Sequence, residues 1–136
     1  MIYITRRERF SSTHRLYRDD WDDEKNMKIF GPCSNKNGHG HNFELFVTVK
    51  GKVNPETGFV MNLKDLSPII KEKVINKLDH KNLNLDVDFM KNKIPSTENL
   101  VLEIWNQLQK PIEEHGACLH CIKVYETENN FVEYFG

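Results

Sequence analysis

The chain has 136 residues, 38% of them hydrophobic and 29% charged, with 19 Lys and Arg against 20 Asp and Glu for a formal net charge of −1. That length suits one compact domain, residues 1–136, and the evenly mixed charge excludes the polycationic stripe that neutralises nucleic-acid phosphates. No apolar run approaches the roughly 20 residues of a membrane span and the N-terminus has no secretory h-region; three cysteines, Cys33, Cys118 and Cys121, are too few for a disulfide framework. The expectation is a cytoplasmic protein with free thiols and neither nucleic acid nor membrane as a partner.

Residues 2–13 alternate loosely and carry Ile, Tyr, Thr and Phe, which predicts a first strand ending near His14. Leu16 to Lys36 has no apolar period and reads as a loop. Residues 42–53 give the clearest strand, with Phe43, Leu45, Val47 and Val49 on one face. Asn54-Pro-Glu-Thr-Gly58 is a turn leading to a short Phe59-Val-Met strand. From Lys64 to Leu78 the apolar positions Leu66, Ile70, Val74 and Leu78 recur every four residues, an amphipathic helix with Pro68 near its first turn.

A second helix starts at Ser96 or Thr97, buries Leu100, Val101, Ile104, Trp105 and Leu108, and is expected to stop at Pro111. Residues 119–126 and 131–135 return to strand composition around the turn Glu128-Asn-Asn. The order ββααββ gives an α+β fold, a four-stranded antiparallel sheet with two helices packed on one face.

Chemistry concentrates in Gly31-Pro-Cys-Ser-Asn-Lys-Asn-Gly-His-Gly-His-Asn42. His39 and His41 are two apart, so on a strand both imidazoles leave the same face, as two ligands of one metal must. His14 ends the first strand, and antiparallel pairing brings it beside them. Three imidazoles with an open fourth position are the ligand set of a catalytic zinc site, since closed structural sites recruit thiolates. The competing reading is a turn with solvated histidines. Cys33 precedes the pair and would act near the metal as base or nucleophile, or else is an inert thiol.

Asp79-His80 follows the first helix; a carboxylate beside an imidazole fixes its tautomer and raises its basicity, although the pair also suits helix termination. Glu126 and Glu98 are carboxylates that could accept paired N–H donors from a flat heterocycle, or simply a surface residue and a first-turn acid. Cys118-Leu-His-Cys121 lacks a second C-x-x-C, and residues three apart on a strand face opposite sides, so its thiols should not converge.

Phe10-Ser-Ser-Thr-His-Arg-Leu16, Phe30-Gly-Pro-Cys33 running on to Asn42, Gly58-Phe-Val-Met-Asn-Leu-Lys-Asp-Leu66, Leu78-Asp-His-Lys-Asn-Leu83, Ser96-Thr-Glu-Asn99 and Tyr125-Glu-Thr-Glu-Asn-Asn130 together resemble the 6-pyruvoyltetrahydropterin synthases of the tetrahydropterin synthase (T-fold) family. The resemblance spans nearly the whole chain. It implies a homohexamer of two trimers, each trimer closing its sheets into a barrel with sites at subunit interfaces. The implied reaction converts 7,8-dihydroneopterin triphosphate to 6-pyruvoyl-tetrahydropterin with loss of triphosphate, on the route to tetrahydrobiopterin.

Carried over by residue, His14, His39 and His41 would hold Zn²⁺, Cys33 would be the base, and Asp79 and His80 would form a proton relay given to a neighbouring subunit. Glu126 would anchor the pterin, with Thr97 and Glu98 lining its pocket. Pro32 and Ser34 depart from the family pattern beside the cysteine. The alternatives are a 6-carboxy-tetrahydropterin synthase and a zinc- or pterin-binding module without turnover. The six-residue step from Cys33 to His39 resembles the biopterin branch.

Overall fold

A computed structural model describes residues 1–136. Strand β1 (Ile2–His14) and strand β2 (His39–Gly51) pair antiparallel without interruption from Ile2↔Gly51 to His14↔His39. Phe43, Leu45, Val47 and Val49 are all at most 1% exposed, as the alternation requires, and Phe10, Ser12 and His14 join them on the same face. Strand β2 begins at His39, three residues earlier than expected, so both histidines of the His-x-His lie within it.

The segment expected to be a loop contains helix α1 (Asp23–Phe30) and a 3₁₀ turn, Gly31–Ser34. Its signal is capping rather than periodicity: Asp22 accepts from the Lys25 N–H, and Asp23 and Glu24 sit in the positive first turn. The helix buries only Asn26, so no apolar stripe marked it.

Helix α2 (Leu63–Ile70), N-capped by Asn62, continues through a π-helical turn (Lys71–Ile75) into a last turn, α3 (Asn76–Leu78). Leu66, Ile70, Val74 and Leu78 are fully buried, as their spacing predicts. Pro68 lies at the sixth helical position rather than in the first turn, where its ring removes an interior donor. Residues 59–61 form no strand; Phe59 is half-exposed and its carbonyl accepts from the Asn54 N–H to close the turn.

A two-residue strand, β3 (Lys81–Asn82), pairs parallel with Ser12 and Thr13, so the sheet has five strands rather than four. Helix α4 (Thr97–Glu113) is capped by the Ser96 hydroxyl and runs through Pro111, because Ile112 is drawn into the core. The turn after it closes at Gly116, whose φ of +79° and N–H bond to the Glu113 carbonyl make the reversal.

Strands β4 (Cys118–Thr127) and β5 (Asn130–Tyr134) complete the sheet in the order β3-β1-β2-β4-β5. Helices and sheet bury a single cluster of 24 apolar residues between them. The sheet's other face carries Arg7, Glu44 and Lys123 in exposed ion pairs. Cys118 is exposed and Cys121 buried, both free thiols, and burial pushes the Cys121 thiol above its ordinary value.

Candidate active site

Strand register assembles the site. His14 is the last residue of β1 and stands opposite His39, while His41, two residues on, projects from the same side. The ring centroids are 4.6 Å apart for His14 and His39, 4.8 Å for His39 and His41, and 5.2 Å for His14 and His41. One ligating atom from each ring lies within 4.8 Å of the other two. Phe10 and Phe43 stack beneath them with centroids 4.9 Å apart, and Phe43 meets the rings of His14 and His41 edge-on.

His14 Nδ1 lies 2.8 Å from the Pro95 carbonyl, which only accepts, so that nitrogen carries the proton and Nε2 keeps its lone pair. That lone pair points at His39 Nε2, 3.0 Å away. His41 Nε2 is buried without a hydrogen-bond partner. Burial pushes His14 and His41 below the usual imidazole value, which keeps them neutral as ligands must be. An orphaned ring nitrogen, a lone pair facing a second imidazole and all three rings within reach of one point, with no thiolate, fit a divalent cation that prefers nitrogen donors and leaves a position open.

Glu126, near the end of β4, completes the edge of this cluster. Its Oε1 is 3.4 Å from His41 Nε2, and its Oε2 accepts a hydrogen bond from the Thr97 hydroxyl. Thr97 is buried at the first turn of α4, directly after the Ser96 cap. Thr97, Glu98 and Glu126 line one cavity of about 340 Å³ with Asn130, Phe131 and Val132. The three residues expected around a flat heterocycle therefore meet beside the histidines.

Cys33, Asp79 and His80 make no hydrogen bond to that cluster. Cys33 is half-buried in the 3₁₀ turn, with its carbonyl accepting from the Leu16 N–H at 2.8 Å, two residues beyond His14. Asp79 and His80 lie along the free edge of β1. Asp79 Oδ1 accepts from the Ser11 N–H at 2.8 Å, and the His80 N–H donates to the Ser11 carbonyl at 2.7 Å. The His80 ring, 3.0 Å from Asp79 Oδ2, is 84% exposed, and its backbone sits at φ +60°. The Ser11 bond, and less strongly His80, hold the Asp79 carboxyl below the usual carboxylate range.

Sequence reasoning missed the Pro95 carbonyl that orients His14 and the two backbone groups of Ser11 that hold Asp79 and His80. Neither carries a side-chain signal. Gly38 is the legible exception: at φ +67° it lies so close to the end of β1 that a Cβ would stand 2.7 Å from the His14 carbonyl oxygen.

Known proteins are similar to this chain along nearly its whole length. The chain is 49% identical over 135 residues to a 6-pyruvoyl tetrahydrobiopterin synthase of Dictyostelium discoideum, covering 99% of this chain and 96% of that one. It is 47% identical over 133 residues to the human 6-pyruvoyl tetrahydrobiopterin synthase, covering 98% and 90%. The solved 6-pyruvoyl tetrahydropterin synthase of Caenorhabditis elegans superposes with a TM-score of 0.92 at 32% identity, over 99% of this chain and 95% of that one. The family model described as 6-pyruvoyl tetrahydropterin synthase matches residues 3–136. With the family model matching residues 3–136 and relatives of 47–49% identity along nearly the whole length, the chain belongs to the 6-pyruvoyl tetrahydropterin synthase family.

Proposed function

We propose that the chain is a zinc-dependent lyase that converts 7,8-dihydroneopterin triphosphate to 6-pyruvoyl-5,6,7,8-tetrahydropterin and inorganic triphosphate, in tetrahydrobiopterin biosynthesis. The observation that carries this reading is the contact of two half-sites: three imidazoles able to hold a cation, and Glu126, bound to Thr97, 3.4 Å from one of them.

His14, His39 and His41 would hold the Zn²⁺, which when bound supplies Lewis-acid polarisation of side-chain oxygens and so acidifies the neighbouring C–H bonds. The carboxylate of Glu126 accepts N–H donors from the pterin edge, and Thr97 fixes the carboxylate's orientation. Glu98 lines the same cavity and bounds the ring. Cys33 is assigned as the base that takes a proton from a hydroxyl-bearing side-chain carbon.

His80, oriented by Asp79, exchanges protons as the side chain is oxidised to the dicarbonyl level and the dihydropterin ring is reduced by the same two electrons. The triphosphate leaves with its electron pair. No external oxidant is required.

Quaternary structure follows from the same reading. The His80 ring is 84% exposed and makes no hydrogen bond to its own chain's histidines, which supports its use in a neighbouring subunit's site. The edge of β1 is covered only from Ser11 onward, by Asp79, His80 and β3, and β5 has one edge unpaired, so two free edges are available for closing sheets into a trimeric barrel. Two such trimers make the proposed hexamer.

Incubation of the zinc-loaded protein with dihydroneopterin triphosphate, followed by separation of the products, tests the reading. The pyruvoyl product with one triphosphate per turnover supports it. A 6-carboxy product would assign the chain to the sibling activity, and stoichiometric pterin binding without any product would make it a binding module. Cys33→Ala should keep zinc and pterin and lose most turnover.

A further inference from the structure

The turn that carries Cys33 is not free to drift relative to the histidines. Two hydrogen bonds tie it to the two residues that follow His14: the Leu16 N–H donates to the Cys33 carbonyl at 2.8 Å, and Arg15 Nε donates to the Ser34 carbonyl at 2.8 Å. The Arg15 guanidinium lies over the Tyr17 ring, 3.8 Å from its centroid, which restricts its rotamers.

Arg15 is itself held by Asn84. The Arg15 N–H donates to Asn84 Oδ1 at 2.7 Å, and Asn84 Nδ2 donates to the Arg15 carbonyl at 2.8 Å. One amide side chain thus satisfies both backbone groups of one residue, taking the place of a strand partner. It extends the short parallel pairing of β3 with Ser12 and Thr13, which continues through the Leu83 N–H to the Thr13 carbonyl at 2.8 Å. Asn84 is fixed in turn by its own N–H, which donates to Asn82 Oδ1 at 2.9 Å. Neither Arg15 nor Asn84 contacts the histidines, the Glu126 cavity or the Cys33 sulfur through a hydrogen bond.

We propose that Asn84 and Arg15 are positioning residues: Asn84 locks the backbone of Arg15, and Arg15 with the Leu16 N–H sets the distance between Cys33 and the histidine cluster. This rests on the reading of Cys33 as the base. Proton abstraction depends steeply on approach geometry, and a misplacement of about 1 Å lowers turnover by about 100-fold. A pair of hydrogen bonds that registers the base-bearing turn against the strand carrying a metal ligand is therefore a determinant of kcat rather than of binding.

The test uses zinc-loaded Arg15→Met, Arg15→Lys and Asn84→Ala, with thermal unfolding to establish that each is folded. If Asn84→Ala does not fold, Asn84→Asp, which keeps the acceptor for the Arg15 N–H and loses the donor, replaces it. Arg15→Met and the Asn84 variant are expected to lose about 10- to 100-fold in kcat, with KM changed by less than about threefold and one zinc retained per chain.

The alkylation rate of Cys33 with iodoacetamide, read on its own peptide by mass spectrometry, should shift by about threefold or more, while Cys118 and Cys121 react as in the wild type. Arg15→Lys, which keeps a donor for the Ser34 carbonyl, should recover part of both effects. Wild-type kcat and Cys33 alkylation in Arg15→Met and the Asn84 variant would overturn the proposal, as would loss of zinc as the cause of inactivity. Full turnover in Cys33→Ala refutes the base assignment instead. An inert Cys33→Ala beside a fully active Arg15→Met overturns the positioning role alone.

Discussion

Removing the Asp79 carboxylate tests how the exposed His80 is held. In Asp79→Ala the Ser11 N–H loses its 2.8 Å acceptor on the edge of β1, and the His80 ring loses the carboxylate 3.0 Å from Nδ1. An unpaired N–H at a buried site costs roughly 1–3 kcal/mol. The Asp79 side chain is 39% exposed, so water replaces part of the lost bond and the expected loss is about 1 kcal/mol. Asp79→Asn keeps an acceptor for Ser11 and should lose about 0.5 kcal/mol or less.

The sign with pH follows from the lowered Asp79 pKa, whose largest cause is the Ser11 bond. A carboxyl with a depressed folded pKa contributes stability that is present above its ordinary value and disappears as pH falls through the folded value. The gap between wild type and Asp79→Asn should therefore close on acidification. Urea unfolding at fixed protein concentration measures it, since assembly links stability to concentration. Turnover should separate from stability, with Asp79→Asn losing about 10- to 100-fold in kcat through the misoriented His80. An Asp79→Ala protein within about 0.3 kcal/mol of wild type at pH 7 would refute the account of the Ser11 anchor.

Three further outcomes are expected. His39→Ala should bind less than about a tenth of the zinc of the wild type, measured by metal analysis after dialysis, and a full complement would show that the ligand set is wrong. Gly38→Ala forces a Cβ to within 2.7 Å of the His14 carbonyl at positive φ, so it should lose about 2 kcal/mol or more in denaturant and weaken zinc binding; an unchanged unfolding midpoint would contradict the close approach. Thr97→Val removes the hydroxyl donor to Glu126 while keeping shape, so it should raise KM for the pterin with zinc content unchanged, and an unaltered KM would remove Thr97 from the site.

Much of the sheet was legible because its burial is one-sided. Phe43, Leu45, Val47 and Val49 alternate without exception along β2, and the uninterrupted pairing that puts Ile2 against Gly51 also puts His14 against His39. The convergence of the histidines is legible for the same reason, since a His-x-His has one geometry on a strand. Helix α1 was missed because it buries almost nothing and shows itself only through Asp22 and the acids after it. Strand β3 was missed because two residues carry no period.

Pro111 does not stop α4. The carbonyl opposite its ring lies in the last helical turns, and burial of Ile112 outweighs one lost hydrogen bond. Contacts made by backbone, such as Pro95 to His14 and Ser11 to Asp79 and His80, leave no trace in residue type. They depend on which loops the fold brings to the end of β1.

Three imidazoles and a pterin-anchoring carboxylate are proposed to form one catalytic site for triphosphate elimination. Its most direct test is quantitative product analysis of zinc-loaded protein and of metal-free protein with dihydroneopterin triphosphate, measuring pterin product and inorganic triphosphate together. 6-Pyruvoyl-tetrahydropterin and triphosphate are expected in equal amounts from the loaded protein, and neither from the metal-free protein until zinc is restored. Equal turnover without metal, or a carboxy-pterin product, would contradict this expectation.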